Sequence, residues 1–81
     1  MRSRPQLGKV LHVSRSSGNL ILKAGKMARI GAAVLDSAGR RVGTLFDIFG
    51  PVSNPFAAVK PEIDEPGRYV GELIFLGRSK R

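Results

Sequence analysis

The sequence predicts an all-β domain, a small six-stranded β-barrel, closed or split, with Greek-key-like character. Three observations carry that expectation. Turn signals built from Gly, Pro, Asn, Asp and Ser separate short apolar runs at close spacing along the 81 residues, as in all-β folds. Six short strands in so small a chain favour closure, because closure removes exposed strand edges. The 10 glycines ease the sharp bends that barrel corners require.

The elements follow in order. Gln6–Arg15 alternates weakly and holds Val10, Leu11 and Val13, which suits a first strand. Ser16-Ser17-Gly18-Asn19 reads as a hairpin connection, since Gly and Asn tolerate positive φ. Leu20–Lys23 is a short strand, and Ala24-Gly25-Lys26 breaks it. Met27–Asp36 fits helical spacing through Ile30, Ala33 and Val34, but Gly31 and the strand that follows favour extended structure. Asp36-Ser37-Ala38-Gly39 is a turn, with Asp first and Gly fourth. It joins Ala32–Asp36 to Val42–Phe49 as a hairpin. Simple alternation along this fourth strand puts Val42, Thr44, Phe46 and Ile48 on one face and Gly43, Leu45, Asp47 and Phe49 on the other. Neither face is wholly polar, so the strand is expected to be central. Pro51, lacking an amide proton, ends its pairing. Phe56–Lys60 is a fifth strand, Asp64-Glu65-Pro66-Gly67 fits a type II turn, and Arg68–Leu76 closes the barrel. The domain therefore spans 6–76, between basic tails at 1–5 and 77–81.

Composition narrows the function classes. A chain of this size buries only about 60–65% of its unfolded surface around one core, which leaves little room for a deep catalytic pocket. Cysteine is absent, which excludes disulfides, thiolate chemistry and the common structural zinc sites. No run approaches the ~20 apolar residues of a membrane span, and the basic start lacks the apolar core of a signal peptide. The reading is a soluble cytoplasmic or nuclear protein with no membrane partner. The net charge is +8, and the excess is one-sided. Residues 1–30 carry Arg2, Arg4, Lys9, Arg15, Lys23, Lys26 and Arg29 with no acidic residue, which suggests a nearby polyanion such as nucleic acid.

Catalytic constellations are missing. His12 stands alone in a strand with no nucleophile-elbow serine to serve. Asp36 is explained by its turn, and Asp47 by a local cap or ion pair. Glu62, Asp64 and Glu65 lack the glycine and spacing of a calcium loop. Gly39 and Gly43 flank Arg40 and Arg41 without forming a phosphate-binding loop, and no helix follows. We expect no enzyme activity, no metal and no cofactor. Base-stacking RNA readout is weakly supported too, because the four Phe and one Tyr sit in apolar runs.

The positive signal is the connection Gly50-Pro51-Val52-Ser53-Asn54-Pro55-Phe56. A loop that only turns the chain is polar, whereas this one presents Val52 and Phe56 on a backbone stiffened by two prolines. A rigid loop loses little entropy on binding, which marks a docking edge. The alternative is that Val52 and Phe56 fold back to plug a barrel end.

The segments Val42-Gly43, Asp47-Ile48-Phe49-Gly50-Pro51-Val52, Pro55-Phe56 and Val59-Lys60-Pro61, in that order, resemble the glycine-arginine-rich-protein subunit of H/ACA ribonucleoproteins. The likeness covers nearly the whole chain, although the first thirty residues match mainly by pattern. The flanking Gly/Arg-rich tails of eukaryotic members are lacking, as in the short archaeal form. The resemblance implies a non-catalytic barrel docked on a dyskerin-type (TruB-like) pseudouridine synthase, in a particle with guide and substrate RNA, assisting substrate loading or release. It implies a protein-docking set of Ile48, Gly50, Pro51, Val52, Pro55, Phe56, Val59 and Lys60, with Arg15, Lys23, Lys26 and Arg29 close to RNA. The subunit is expected to be a monomer before assembly, cytoplasmic in an archaeon and nucleolar in a eukaryote. Two alternatives stay open. Val34–Gly43 also fits the hairpin of PRC-barrel-like ribosome-maturation domains, whose pattern requires neither Gly50-Pro51-Val52 nor Val59-Lys60-Pro61. A stand-alone basic RNA-binding barrel fits the charge.

Overall fold

A computed structural model describes residues 5–24 and 29–77. Six strands close into an antiparallel barrel in the order β1-β2-β5-β4-β3-β6: β1 Gln6–Val13, β2 Leu20–Lys23, β3 Ala33–Leu35, β4 Arg41–Phe49, β5 Phe56–Pro61 and β6 Leu73–Leu76. Strands β3, β4 and β5 form a meander, and β6 returns to lie beside β3, which is a Greek key. The expected all-β barrel is therefore present, in its closed form.

The barrel is filled by Leu7, Val10, Leu20, Leu22, Val34, Val42, Leu45, Ala57, Val59 and Ile74, with the ring of Tyr69 sealing it. Burial of these side chains is the main force for closure, at about 25 cal/mol per Å² of apolar surface. Gly43 permits a close approach of two strands. A Cβ there would collide with the carbonyl oxygen of Lys60 on β5, so any larger residue would pry β4 from its neighbour.

The expected alternation along β4 is corrected by two slips in its register. Its pairing with β3 slips at Val42, between Val34–Gly43 and Leu35–Arg41, and its pairing with β5 slips at Phe46, between Leu45–Val59 and Asp47–Ala58. Each slip inserts one residue and breaks the two-residue period. Val42 and Leu45 are consequently both buried, while Phe46 and Asp47 are both exposed. Simple alternation fails along this strand.

A further correction concerns Arg68–Leu76. The structure has a 3₁₀ turn over Pro66–Tyr69 and a strand only over Leu73–Leu76. A type II turn with Pro66 and Gly67 at its centre needs positive φ at Gly67, and Gly67 does not have it. Proline instead starts a 3₁₀ turn at a fixed φ, which swings the Tyr69 ring onto the core. Likewise, β3 is only Ala33–Leu35. It is preceded by a turn closed by the Ala32 N–H donating to the Arg29 carbonyl at 3.1 Å. The first part of the expected third strand, 27–28, lies outside the described residues, as do residues 25–26 of the break before it and most of both basic tails.

The pairings assign every connection to one of two ends. At the loop end lie the β4–β5 and β2–β3 connections, together with Pro5 and Gly77, where the tails attach. At the turn end lie the β1–β2 and β3–β4 turns and the β5–β6 connection.

Candidate docking surface

The β4–β5 loop is held at both feet. Gly50 opens it with φ +94°, a left-handed conformation that side-chain-bearing residues rarely adopt. The Asn54 N–H donates to the Pro51 carbonyl at 3.0 Å, and the Ala24 N–H of the neighbouring connection donates to the Pro55 carbonyl at 2.9 Å. These bonds and the two prolines fix the loop without burying it. Val52 projects from it and is 97% exposed. Val52 therefore does not plug the barrel.

Phe56 takes an intermediate place. It opposes Phe49 across the β4–β5 ladder, and the two rings stack with centroids 5.8 Å apart and planes at 25°. Gly50 lies directly beneath the Phe56 ring, where an added Cβ would come to 3.1 Å. The stacked pair stands outside the barrel wall, half in water, and Phe49 is 43% exposed. In the next register position Lys23 of β2 faces Phe56, with its side chain exposed.

The eight docking residues expected from the resemblance are not all placed alike. Gly50, Pro51 and Val52 are exposed, and Pro55 and Phe56 are half-buried. Ile48 leans inward and packs against the core, while Val59 is wholly buried within it. Val59 supports the barrel wall from inside and cannot reach a partner, because its side chain points to the core between Leu20 and Leu45. Lys60 is exposed beside Thr44, and its charge helps lower the pKa of Glu62. The residues that the sequence reading missed are Phe46, midway along β4, and Ile30, in the β2–β3 connection, both well exposed. The signal for Phe46 lies in the register slip, which no local pattern encodes.

The basic set divides as well. Lys23 and Arg29 are exposed at the loop end, Arg15 lies in the β1–β2 turn at the opposite end, and Lys26 lies outside the described residues. The four therefore do not form one patch.

The turn end is locked by polar contacts. Asp36 Oδ1 accepts the N–H groups of Ala38 and Arg40 at 3.0 and 2.9 Å, and Oδ2 accepts the Tyr69 hydroxyl at 2.7 Å. Partial desolvation, the largest single influence, pushes the Asp36 pKa up. The Tyr69 hydroxyl, the two backbone amides and the Arg40 charge together outweigh it and hold the carboxyl below its ordinary value. The same bond to Asp36 raises the Tyr69 pKa, with burial adding to it. Nearby, the Arg41 Nε donates to Glu62 Oε1 at 2.9 Å, and the Thr44 hydroxyl donates to Glu62 Oε2 at 2.7 Å. The Thr44 and Arg41 hydrogen bonds lower the Glu62 pKa. A polar cleft of about 240 Å³ lies here, lined by Ser37, Arg40, Arg68 and Glu72 around the Asp36–Tyr69 pair. His12 is exposed on β1 opposite Ile21. Among the described residues no group of three His, Cys, Asp or Glu is placed to hold a metal.

The fold and this surface define a barrel module that presents a preformed loop, and comparison with known proteins gives that class a family. No protein-family model matches the chain. A protein of Methanothermobacter thermautotrophicus whose function is uncharacterised is 37% identical over 75 residues, covering 88% of this chain and 80% of that protein. The chain belongs to the family of that protein. Among solved structures, the Gar1 domain of NAf1 superposes with a TM-score of 0.72 at 24% identity, covering 91% of this chain and 83% of that one. That likeness shows a Gar1-like fold.

Proposed function

We propose that this chain is a non-catalytic protein subunit of an H/ACA-type guide ribonucleoprotein for RNA pseudouridylation. It docks on a dyskerin/TruB-like pseudouridine synthase and assists substrate loading or release. The observation that carries this reading is the β4–β5 loop: a backbone pinned at both feet, with Val52 held out in water beside a stacked Phe pair. An apolar side chain kept in solvent by a rigid loop gains free energy only when something covers it. The Gar1-like fold and the matching segments from Val42-Gly43 to Pro61 support the identity of the partner. The subunit works in the cytoplasm of an archaeal cell, or the nucleolus of a eukaryotic one, and joins the particle as a monomer.

The test is size-exclusion co-elution with a purified dyskerin-type synthase in high salt without RNA. Wild type co-elutes, and Val52→Asp does not, although its melting temperature is unchanged. If wild type fails to co-elute yet binds bare RNA with a steep salt dependence, the stand-alone RNA-binding alternative replaces this reading.

A further inference from the structure

The apolar surface of the loop end extends beyond the loop. Ile30 is 59% and Phe46 56% exposed, more than Phe49. Phe46 is the extra residue of the β4 bulge, and bulges re-aim side chains and are common next to functional sites. The Gly31 N–H donates to the Leu45 carbonyl at 2.8 Å, and the Leu45 N–H donates back to Ala32 at 2.9 Å. These bonds lay the Arg29–Ile30 turn beside this part of β4. Ile30, Phe46, Phe49, Phe56 and Val52 thus lie along one side, from the β2–β3 connection and the middle of β4 to the β4–β5 loop. Single exposed apolar residues are ordinary, but a cluster marks an interaction site.

The charges around this cluster define its partner. Lys23 faces Phe56 and Arg29 precedes Ile30. The one ion pair among the described residues joins Arg41 to Glu62 near the other end, so among these residues neither Lys23 nor Arg29 has a carboxylate partner. Asp47 sits exposed between Phe46 and Phe49, its Oδ1 accepting its neighbour's amide, the Ile48 N–H, at 2.9 Å. A carboxylate in the middle of the face repels phosphates. Phe49 and Phe56 already cover one another, and Ile30 and Val52 offer no π face for a base. These features disfavour nucleic acid. The barrel is closed and offers no free strand edge, so the contact is made by side chains rather than by strand addition.

Resting on the docking reading above, we propose that Ile30 and Phe46 belong to the contact, and that the partner protein meets this face with an apolar surface rimmed by carboxylates opposite Lys23 and Arg29. The experiment is titration calorimetry of the RNA-free synthase against wild type, Val52→Asp, Phe46→Asp, Ile30→Asp and a Lys23→Glu/Arg29→Glu double variant, at low and high salt. Thermal melts accompany it to confirm folding. Phe46→Asp and Ile30→Asp each weaken binding about tenfold or more. The double charge reversal weakens it at low salt, and salt narrows that gap. If Val52→Asp disrupts binding while Phe46→Asp and Ile30→Asp bind as wild type, the contact ends at the loop. This proposal then falls and the docking reading stands. A charge reversal that leaves low-salt affinity unchanged or improves it overturns the carboxylate rim. If wild type does not bind the synthase at all, the docking reading fails and this proposal fails with it. Salt-sensitive binding of a single-stranded RNA oligonucleotide, lost in the double variant, would then assign the face to nucleic acid.

Discussion

The two ends of the barrel are built on opposite terms. At the turn end, polar side chains are matched within the fold: Asp36 takes three donors, and Glu62 is shared by Arg41 and Thr44. Five of the six acidic residues of the sequence (Asp36, Glu62, Asp64, Glu65 and Glu72) lie in its connections. At the loop end the described residues form no side chain–side chain hydrogen bond. Among those residues Lys23 and Arg29 form no ion pair, and apolar side chains stand in water. Polar groups satisfied internally favour one native geometry, whereas cations and apolar groups left open have free energy still to gain from a partner. One end is finished by folding, and the other is left open, as the docking proposal requires.

That contrast predicts a separation of effects, and the largest lies on the finished side. Gly43→Val places a side chain where Lys60 already sits. Overpacking of this kind costs about 3 kcal/mol or more when backbone must move. In so small a domain this removes much of the stability, so circular dichroism should show a lower melting temperature or no folded barrel. Retention of wild-type stability would mean that β4 and β5 are not so closely apposed.

Tyr69→Phe is the next largest. It deletes the hydroxyl bonded to Asp36 while keeping the ring on the core, at a cost of about 1.5–3 kcal/mol for a bond to a charged group. Its pH signature follows from the shifts. Folding lowers the Asp36 pKa from its ordinary 3.8, so this stabilisation is complete above that value and is lost as pH falls through the folded pKa. Folding raises the Tyr69 pKa above its ordinary 10.0, so that contribution is whole below pH 10 and fades as pH climbs through the higher folded value. Urea unfolding at neutral and acid pH checks the acid limb: Tyr69→Phe should lose less stability on acidification than wild type. Synthase binding at neutral pH should not change. A matching loss of affinity would break the separation between the ends.

How much of this was legible in the sequence depends on whether the information is local. Asp36-Ser37-Ala38-Gly39 contains its own turn chemistry, and the Asp36 carboxylate bonds as an Asx turn requires. The order and rough extent of the strands could be read from such punctuation. The apolar, proline-braced loop was equally visible, because an exposed-looking segment with Val52 in it is odd on its face. The rest depends on partners distant in the chain. Whether Phe46 points into the barrel or out of it is decided by its register against β5. Pro66-Gly67 suits a type II turn and a 3₁₀ turn alike, and the choice is made by Tyr69, which reaches both the core and Asp36. Val59 entered the docking set through a motif, and a motif does not distinguish a residue that touches a partner from one that supports the wall behind it.

On the open side the effects on stability should be small and those on binding large. Phe49→Ala removes the stacked partner of Phe56, a pair worth about 0.5–1.5 kcal/mol beyond its buried area. Because Phe49 is half in water, the melting temperature should fall only modestly, while affinity for the synthase drops by about 2 kcal/mol. A large fall in stability with normal binding would show that the aromatic pair belongs to the finished part of the molecule.

The smallest effect returns to the turn end and tests whether matched polar contacts there are all equal. Glu62 is hydrogen-bonded to Thr44 and Arg41, but its surroundings are water on most sides, and exposed ion pairs are screened and weak. Glu62→Gln keeps the shape and an acceptor oxygen for one of the two donors. The melting temperature should stay within experimental error of wild type, and its salt dependence should be slightly flatter. Asp36, bonded to a tyrosine buried against the core, should behave differently: Asp36→Asn leaves a weaker acceptor for three donors and should melt measurably lower. If Glu62→Gln proves as damaging as Asp36→Asn, the turn end is held by a surface network rather than by the Asp36–Tyr69 lock. The contrast between the two ends would then rest on charge alone.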